Sequence, residues 1–412
     1  MTTGPLRFEV MHRSGAARAG IAETPHGRFE TPAFMTVGTK GTVKGVTPSL
    51  LRQTGAEVVL NNTYHLLLRP GPETVAALGG AHRMMGWDGP ILTDSGGYQA
   101  YSMADINAVD EDGVTFKSII TSERIRMTPE SSMHTQNLIG ADIIMAFDDC
   151  PPSVDPASAP VNQTRIRLAT MRDGRGADYD HPARLRLANE RTIRWLERCK
   201  RAHTRVHEQS LFGIVQGGTD LHERAWSAER VCNVDLPGYA IGGVAVGEMP
   251  EDIARVVRFT APLMPEDKPR YLMGVGYERD IVAAVRAGVD MFDCVLPTRN
   301  GRNANAFTRT GQIRLKNARF TRDTAPIEKG CDCPACDPVR HGGGGPDGAP
   351  FGRGYLRHLF LAKEMLGPIL VSLHNLRHFQ RLMVDLRGCI RNDDWSGFAE
   401  RWPVAADALE QT

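Results

Sequence analysis

Short apolar runs rich in β-branched residues recur along the chain, and each ends in polar residues or glycine. Seven are clear: EVVLNN (57–62), PILTDSGG (90–97), ADIIMAFDDC (141–150), LFGIVQGG (211–218), GYAIGGVAVGE (238–248), RYLMGVG (270–276) and DMFDCVLPTR (290–299). Amphipathic segments lie between the later runs, and the clearest predicted helices are 250–264 and 277–289. Continuously apolar strands that alternate with helices are typical of a buried parallel sheet.

The number of these strand–helix units decides between two parallel architectures. Seven recognisable units and a candidate eighth fit a (β/α)8 barrel better than an open sheet. No GxGxxG loop opens a unit, which argues against a dinucleotide-binding Rossmann fold. We therefore predict an α/β fold of the (β/α)8 (TIM) barrel type.

The composition is that of an ordinary globular protein. The 412 residues include 49 Lys and Arg against 48 Asp and Glu, and 41% of residues are hydrophobic, which excludes disordered and fibrous classes. No apolar run reaches the roughly 18 residues of a membrane helix, and the amino end lacks the apolar core of a secretory signal. We expect a cytoplasmic enzyme with no membrane partner.

Three of the eight cysteines are clustered in the segment CDCPAC, at Cys331, Cys333 and Cys336. Three thiolates within six residues in a reducing compartment favour a zinc site that needs one more ligand for tetrahedral closure. The histidines downstream are His341, His358, His374 and His378. Because the cluster lies outside the strand ends, we expect a structural metal in an appended subdomain.

The cysteine cluster and the strand pattern predict how the chain divides into domains. We predict the barrel over 1–322, a zinc-binding subdomain over 323–380 that includes a glycine-rich, mobile insert at 341–354, and a C-terminal helical segment over 381–412 that packs on the barrel. The connection 151–207 is long for a barrel and carries a basic helix near its end.

A basic run covers residues 299–322, with seven cations and no acid. Such a run is either a solvated face or a surface that supplies phosphate contacts to a nucleic acid.

Polar residues end the predicted strands, and in this architecture the active site lies at the carboxyl ends of the strands. The residues at these ends are Asn62, Asp94, Asp148 with Asp149, Gln216, Gly243, Met273 and Asp293. Three converging carboxylates indicate glycosyl or acyl-type chemistry or metal binding. The alternative is that each aspartate only caps the helix that follows it.

Two of these carboxylates differ in their surroundings. Asp94 lies in TDSGGYQ, where Tyr98 offers a flat face for a ring, and Asp293 lies in an apolar strand that would partly desolvate it. A nucleophilic carboxylate with a separate acid/base carboxylate is the machinery of retaining glycosyl transfer. Asp148, Gln216 and the backbone at Gly242 and Gly243 could contact the edge of a planar heterocycle.

The motifs resemble one family closely. The matching segments are TPAFMTVGT, NNTYHLLLRPG, ILTDSGGYQ, GVTFKS, IMAFDDC, LFGIVQGG, YAIGGVAVGE, YLMGVG, DMFDCVLPTRNGRNANAFT, CDCPAC and LHN, in order from residue 31 to about 380. Together they are similar to the bacterial type of tRNA-guanine transglycosylase, also called queuine tRNA-ribosyltransferase.

This resemblance implies an activity and its partners. Members of the family are pentosyltransferases that exchange the guanine at wobble position 34 of GUN-anticodon tRNAs (Asp, Asn, His, Tyr) for a 7-deazaguanine, within queuosine biosynthesis. The exchange passes through a covalent aspartyl-ribosyl tRNA intermediate. The resemblance implies tRNA, guanine and preQ1 as ligands, and a homodimer.

The resemblance also implies roles for individual residues. Asp293 matches the nucleophile and Asp94 the general acid/base. The implied substrate-binding set is Asp148, Gln216, Gly243, Tyr98, Met273, Asn62, Cys150 and Val246. Arg299 and Arg302 match a loop that grips the tRNA. The implied ligands of one structural zinc per chain are Cys331, Cys333, Cys336 and His374.

Several alternatives stay open at this point. Val246 favours the small base preQ1, whereas a eukaryotic-like enzyme would accept the bulkier queuine. A non-catalytic tRNA-binding partner subunit would lose the nucleophile, but this chain keeps both Asp94 and Asp293. An unrelated barrel glycosidase would need aromatic sugar platforms, yet only 7% of residues are aromatic. A last alternative makes CDCPAC the catalytic zinc centre of a hydrolase.

Overall fold

The computed structural model describes residues 4–99, 107–155, 179–343 and 347–410. The described strands up to the end of the barrel are, in chain order, β1 (Arg7–Ser14), β2 (Ala17–Thr24), β3 (Gly27–Thr31), β4 (Ala33–Val37), β5 (Val59–Asn61), β6 (Ile91–Thr93), β7 (Asn107–Val109), β8 (Val114–Lys117), β9 (Arg124–Met127), β10 (Ile143–Met145), β11 (Ser210–Val215), β12 (Gly238–Ile241), β13 (Arg270–Leu272) and β14 (Met291–Cys294).

Eight of these strands close into a parallel barrel. Strands β4, β5, β6 and β10 to β14 pair in sequence order, and β14 returns to β4 with Asp293 opposite Met35. Each of the seven predicted runs contains one barrel strand, and the eighth strand is Ala33–Val37. The prediction of a (β/α)8 barrel is confirmed.

Two three-stranded antiparallel sheets accompany the barrel in the described residues, besides the two-stranded pair 305–308 and 311–314 of the C-terminal region. Strands β1 to β3 form one sheet before the barrel begins, and β7 to β9 form another within the connection from β6 to β10. Arg194 donates to the carboxylate of Glu111, in the turn between β7 and β8. Arg198 donates to the carboxylate of Glu130, in the helix that follows the sheet. The second sheet is therefore fixed to the barrel at its edge rather than left as a free hairpin.

The helices up to the last barrel strand are α1 (Pro48–Gln53), α2 (Thr63–Leu68), α3 (Pro72–Ala77), α4 (Gly80–Met85), α5 (Pro129–Ile139), α6 (His181–Ala202), α7 (Leu221–Cys232), α8 (Pro250–Thr260) and α9 (Glu278–Arg286). Both of the clearest predicted helices are present. Helix α5 shows how local sequence sets the bounds, because a Thr128–Ser131 capping box and a proline start it and Gly140, at φ +77°, ends it.

The predicted basic helix forms the second half of α6, and α6 begins ten residues before it. Asp180 accepts a hydrogen bond from the amide of Ala183 and so caps the helix at its start. Residues 156–178 of the long connection lie outside the described part of the chain, as do 344–346 of the glycine-rich insert whose mobility was predicted.

The hydrophobic core has an inner and an outer layer. Inside the barrel, inward-facing side chains such as Phe212, Ile143 and Met291 fill the space and are fully buried. Each such side chain contributes about 1.5–3 kcal/mol when removed from water. Gly238 is required by this packing, since a Cβ there would lie 2.3 Å from the Phe212 ring.

The remaining elements form the C-terminal region. They are α10 (Leu296–Arg302), β15 (Asn305–Thr308), β16 (Gly311–Arg314), α11 (Arg353–Leu361), α12 (Leu366–Asn392), α13 (Trp395–Arg401) and α14 (Asp407–Glu410). A separate apolar cluster surrounds the CDCPAC cysteines and packs on α11 and α12. Helix α12 runs through residue 380, so it belongs to both the predicted subdomain and the predicted terminal segment. Among the described helices, none has the length and apolar character needed to cross a membrane.

Candidate active site

A cavity of about 250 Å³ opens at the carboxyl ends of the barrel strands. Three carboxylates from separate strand ends line it, those of Asp94, Asp148 and Asp293. Seven further residues singled out from the sequence also line it, namely Tyr98, Cys150, Gln216, Gly242, Gly243, Val246 and Met273. The strand-end carboxylates therefore share one chamber, as predicted, rather than each only capping a helix.

Asp94 is held at the end of β6 by donors from a neighbouring loop. Its Oδ1 accepts the amides of Thr63 at 2.9 Å and Gly96 at 3.2 Å, and its Oδ2 accepts the side-chain amide of Asn62. Burial raises the pKa of Asp94 to about 7, and the nearby Asp293 carboxylate adds to the rise. A carboxyl group with this pKa can give and take a proton near neutral pH.

Asn62 supports the cavity without lining it. Its side-chain oxygen caps α2 by accepting the amide of His65 at 3.0 Å, while its nitrogen donates to Asp94. The short βα turn therefore fixes the helix start and the carboxylate with one side chain. Asn62 thus contacts the proposed acid/base, and its predicted part in substrate binding stays a prediction.

Asp293 is the penultimate residue of β14 and is partly buried. Its Oδ1 accepts the hydroxyl of Tyr271 at 2.6 Å and the amide of Gly274 at 2.8 Å. Burial raises the pKa of Asp293, and these two donors partly offset the rise. Within the described ranges its Oδ2 accepts no hydrogen bond, so one oxygen remains available to attack an electrophile.

Asp148 faces the same cavity from the end of β10. Ser95 donates its hydroxyl to Oδ1 at 3.1 Å, and the Gln216 side chain donates to Oδ2 at 2.6 Å. Burial raises the pKa of Asp148 to about 6 despite these two donors. Asp148 and Gln216 thus form a connected polar wall that can accept and donate hydrogen bonds along the edge of a heterocycle.

Asp149 belongs to a different environment although it follows Asp148 directly. Arg184 binds its carboxylate with both guanidinium nitrogens at 2.6 and 3.0 Å, and Arg191 binds it as well. Burial acts to raise the pKa of Asp149, but the two arginines outweigh it and lower the pKa. This strand-end aspartate is a structural anchor for α6 and does not line the cavity.

The Gly242–Gly243 turn is shaped by a close approach. Gly243 has φ +61°, and a Cβ there would lie 2.2 Å from the Gln216 side-chain oxygen. A side chain at this position would displace the very residue that binds Asp148. Glycine therefore lets the backbone form the cavity wall.

Arg224 holds this turn from behind, and the sequence reasoning missed it. It is fully buried on α7 and donates to the carbonyls of Gly242 at 2.7 Å, Gly243 at 3.1 Å, Gly218 at 2.8 Å and Val215 at 3.0 Å. Burial lowers the pKa of Arg224 to about 10. The available signal was its helical spacing, because it shares the buried face of Ser227, Ala228 and Val231.

Val246 is placed by a carboxylate outside the predicted set. Glu248 accepts the backbone amides of Ala245 and Val246 and the hydroxyl of Ser153. Ala245 takes φ +59°, a conformation that is uncommon for a residue other than glycine. These contacts hold the loop so that Val246 forms part of the cavity wall.

The predicted tRNA-binding arginines lie beyond the cavity on α10. Arg299 is exposed and forms no ion pair with a carboxylate in the described ranges, while Arg302 is partly buried. Burial lowers the pKa of Arg302, and Arg299 beside it adds to this effect. Within the same basic run, Arg309 is instead paired with Asp385, so it belongs to the fold rather than to an open surface.

The four predicted zinc ligands converge in the C-terminal region. The Sγ atoms of Cys331, Cys333 and Cys336 lie 3.6, 3.4 and 3.5 Å from Nδ1 of His374, and all four residues are buried. Metal bonds of zinc length in a tetrahedron place sulfur and nitrogen about 3.6 Å apart. His374 Nε2 lies 2.7 Å from the Phe307 carbonyl, which fixes the tautomer that presents Nδ1 to the sulfurs. The group can hold a metal ion.

Comparison with known proteins agrees with this geometry. The family model described as queuine tRNA-ribosyltransferase matches residues 13–175 and 175–406. A queuine tRNA-ribosyltransferase of Thermus thermophilus is 49% identical over 398 residues, which are 97% of this chain and 94% of the relative. Proteins of the same name from Nostoc and Geobacillus thermodenitrificans are 48% identical over 391 residues (95% and 94% of the two chains) and 45% identical over 404 residues (98% and 96%).

Proposed function

Since the chain belongs to the queuine tRNA-ribosyltransferase family, we propose that it exchanges the guanine at position 34 of GUN-anticodon tRNAs for the 7-deazaguanine base preQ1. It is accordingly a transferase that acts on tRNA, in the cytoplasm. The observation that supports this proposal best is the convergence of Asp94, Asp148 and Asp293 on one cavity.

The reaction follows from the surroundings of two carboxylates. Oδ2 of Asp293 attacks C1′ of the ribose and forms an ester as the bond from C1′ to the guanine breaks, while Asp94 gives its proton to the leaving base. The incoming base then returns a proton to Asp94 and attacks C1′, which breaks the ester and frees the Asp293 carboxylate. Two inversions give net retention, and no cofactor is consumed.

Base recognition is assigned to the polar wall and its neighbours. Asp148 and Gln216 contact the edge of the heterocycle, and the amide of Gly243 adds a donor. Tyr98 and Met273 stack on its two faces. Cys150 and Val246 close the far side, so the cavity favours preQ1 over the bulkier queuine.

The tRNA itself is bound outside this cavity. Arg299 and Arg302 contact backbone phosphates, which position the strand while the unpaired base enters the site. We also propose a homodimer, on the family resemblance. The chain divides into a barrel over 1–322, a metal-binding subdomain over 323–380 and a terminal helical segment over 381–412.

We assign the Cys331, Cys333, Cys336 and His374 group to one structural zinc ion. Bound zinc would supply folding free energy to the C-terminal region and no chemistry to the exchange. The fit of the sulfur–nitrogen distances to a tetrahedral site supports this assignment. A chelator should release one zinc per chain and lower the melting temperature.

The test is incorporation of labelled guanine and then preQ1 into GUN-anticodon tRNA by the purified full-length chain. We expect both bases to enter wild-type reactions and neither to enter reactions of Asp293→Asn, with a tRNA bearing adenine at position 34 as the control substrate. No incorporation of either base by the wild type would overturn the proposal. Val246→Gly should allow queuine to compete, and equal uptake of queuine by the wild type would refute the preference for preQ1.

A further inference from the structure

A second group of candidate metal ligands lies at the amino end of the barrel, opposite the cavity. It consists of His26, His82 and Asp142, whose ligand atoms lie within 4.8 Å of one another. His26 lies in the turn between β2 and β3, His82 lies in α4, and Asp142 directly precedes β10. Three segments that are distant in the chain therefore bring one side chain each to the same point.

The two imidazoles of this group are aligned on one carboxylate. Nδ1 of His26 lies 2.8 Å from Oδ1 of Asp142, and Nε2 of His82 lies 3.1 Å from Oδ2. The rings stack with centroids 3.5 Å apart and planes at 16°, so they lie side by side with one nitrogen each toward Asp142. Two ligands at right angles on a divalent ion, with bonds of about 2.1 Å, lie about 3.0 Å apart. The distances therefore suit an ion bound between the rings and the carboxylate.

The carboxylate of Asp142 is held by the backbone as well as by the two rings. Its Oδ2 accepts the amide of Ile91 at 2.8 Å, and its Oδ1 accepts the amide of His26 at 3.2 Å. Each oxygen thus has one backbone donor and one ring nitrogen at its two lone-pair positions. An ion that replaced the two ring donors would leave both amide hydrogen bonds intact. Those bonds would orient the carboxylate in the way that outer partners orient a metal ligand.

The charge of Asp142 is a second, independent observation. Its side chain is fully buried, yet its ion-pair partners in the described ranges are the two imidazoles, with no lysine or arginine among them. Asp290, at the amino end of β14, is paired instead with Arg18. A buried carboxylate needs a counter-charge, and an imidazole supplies one only when it is protonated. A divalent cation would supply that charge at the point where both rings and the carboxylate meet.

We propose that His26, His82 and Asp142 bind a divalent transition-metal ion of the Zn²⁺ or Ni²⁺ type at the amino end of the barrel. Two imidazoles with one carboxylate are a ligand set that suits these ions. On binding, Nδ1 of His26 and Nε2 of His82 give their lone pairs to the ion, and each neutral ring carries its proton on its other nitrogen. The His26 side chain is 44% exposed, so water can reach the ion and complete its coordination.

The ion would act on the stability of the barrel and not on the exchange reaction. It would join the turn after β2 to α4 and to the start of β10, whereas the cavity lies at the other end of the same strand. An ion that binds only the folded chain raises its stability as the ion concentration rises. This inference does not depend on the proposed function, and either can fail without the other.

The test is the zinc content of the full-length chain, without a histidine tag, after equilibrium dialysis against a series of Zn²⁺ concentrations. Wild type should bind one ion more per chain than His26→Ala and His82→Phe do, whatever the content of the Cys331, Cys333, Cys336 and His374 group. The affinity for this ion should fall at least about 10-fold in both variants, since loss of even an outer partner costs 10- to 100-fold. The control is His222→Ala, which removes an exposed histidine outside the group and should bind as wild type does.

A second measurement separates loss of the ion from damage to the fold. His82→Phe keeps a flat ring against His26, and His26→Ala changes a half-exposed side chain, so both should melt cooperatively without added metal. Added Zn²⁺ should raise the melting temperature of wild type and His222→Ala above that of the two variants. Equal zinc content in wild type and both variants, or an equal rise in their melting temperatures, would overturn the proposal. The three residues would then be a hydrogen-bonded contact of the fold.

Discussion

Strands β10 and β14 each carry one aspartate before the strand and another at its carboxyl end, and the two ends of the barrel treat them differently. Asp142 and Asp290 lie at the amino end, and Asp148 and Asp293 lie at the carboxyl end. Asp142, Asp148 and Asp290 are buried and Asp293 is partly buried, and the four side chains are chemically identical. The comparison therefore isolates what the surroundings contribute.

At the amino end both aspartates have cationic or imidazole partners. Asp290 forms a fully buried ion pair with Arg18 and also accepts the amide of Arg270. Asp142 accepts from His26 at 2.8 Å, from His82 at 3.1 Å and from the amide of Ile91 at 2.8 Å.

The protonation of Asp142 shows the consequence. Burial acts to raise the pKa of Asp142, but the hydrogen bonds from His82, Ile91 and His26 outweigh it and lower the pKa. His26 and His82 also stack, with ring centroids 3.5 Å apart. The carboxylate is fixed in its ionised form, as suits a residue that holds the fold together.

At the carboxyl end the three aspartates that line the cavity have only neutral donors. In the described ranges no lysine, arginine or histidine is a hydrogen-bond or ion-pair partner of Asp94, Asp148 or Asp293, and burial raises the pKa of each. Burial raises the pKa of Asp290 as well, so the cationic partner and not the direction of the pKa shift is what distinguishes Asp290 from these three. A buried carboxylate without a cation retains the capacity to bind a proton or a carbon centre. The presence of a cationic or imidazole partner, rather than residue type, thus separates the structural acids, which include Asp149 at the carboxyl end, from the candidate reactive ones.

The largest expected effect comes from removing the carboxylate at the carboxyl end of β14. Asp293→Asn should reduce guanine exchange by on the order of 1,000-fold or more, because the amide cannot form the ribosyl ester. Its melting temperature should stay at or above the wild-type value, since removal of the charge relieves desolvation. Steady-state exchange kinetics and calorimetry check both parts.

The matched variant at the other end of the strand is Asp290→Asn. It leaves the buried Arg18 without its counter-charge, so the free energy of unfolding should fall by about 3–5 kcal/mol. Exchange per folded molecule should be preserved. If Asp290→Asn and Asp293→Asn reduced exchange per folded molecule equally, the assignment of Asp290 as structural and Asp293 as reactive would be wrong.

The pH dependence of stability sharpens the same comparison. The pKa of Asp94 is about 7 in the folded chain and near 3.8 when unfolded, so the native state holds the extra proton between these values. The stability from this group is fully present below pH of about 4 and is lost as pH rises through about 7, by at most about 4 kcal/mol. Asp142, whose pKa is lowered, contributes stability at higher pH that is lost as pH falls.

The measurement is the free energy of unfolding of wild type, Asp94→Asn and Asp142→Asn between pH 4 and 8. Relative to wild type, Asp94→Asn should become more stable as pH rises, because it lacks the titration that weakens the native chain. Asp142→Asn should run nearly parallel to wild type over this range, because a lowered pKa makes Asp142 titrate below it; the difference between the two should shrink only as pH falls below about 4. Curves parallel to wild type for Asp94→Asn would contradict the assigned pKa.

Arg224 is a buried cation at the carboxyl end that contacts carbonyls, unlike Arg184 and Arg191, which bind Asp149. Arg224→Met should leave the carbonyls of Gly242 and Gly243 without donors and lower the free energy of unfolding by about 1–3 kcal/mol. The KM for guanine should rise with little change in the KM for tRNA, because only the base-binding turn is loosened. An unchanged ratio of the two KM values would show that Arg224 does not support base binding.

The smallest effect concerns the helix N-caps along the rim. Asp180 caps α6 through its side chain, whereas Met249, the N-cap of α8, makes no capping hydrogen bond. Asp180→Ala should therefore cost about 0.5–2 kcal/mol of unfolding free energy, and Met249→Ser should gain up to about 1 kcal/mol. Opposite signs at the two positions would show that Met249 is not optimised for capping. Denaturant unfolding of both variants checks this difference.

The sequence predicted the barrel and the lining of its cavity because both depend on strand ends, which are local. The runs ending in Asp94, Asp148 and Asp293 each contain a strand, and all three carboxylates reach one cavity. The motif CDCPAC with His374 is likewise confirmed as a converging group. The roles of these residues in the exchange remain predictions.

The supporting contacts could not be predicted because they join residues far apart in the chain. Arg224 reaches Gly242, and Glu248 reaches Ser153 across 95 positions, with no motif to mark either pair. The eighth strand, Ala33–Val37, had no helix before it, since an antiparallel sheet precedes it instead. Asp149 illustrates the limit, as a strand-end aspartate whose two arginines come from a distant helix.

The most direct measurement is the trapping of the covalent intermediate. Wild type incubated with guanine and GUN-anticodon tRNA should give a protein–RNA band that survives denaturing electrophoresis, and Asp290→Asn should give the same band per folded molecule. Asp293→Asn should give none. A band of normal intensity with Asp293→Asn would contradict the assignment of the cation-free carboxylates at the barrel's carboxyl end as the reactive ones.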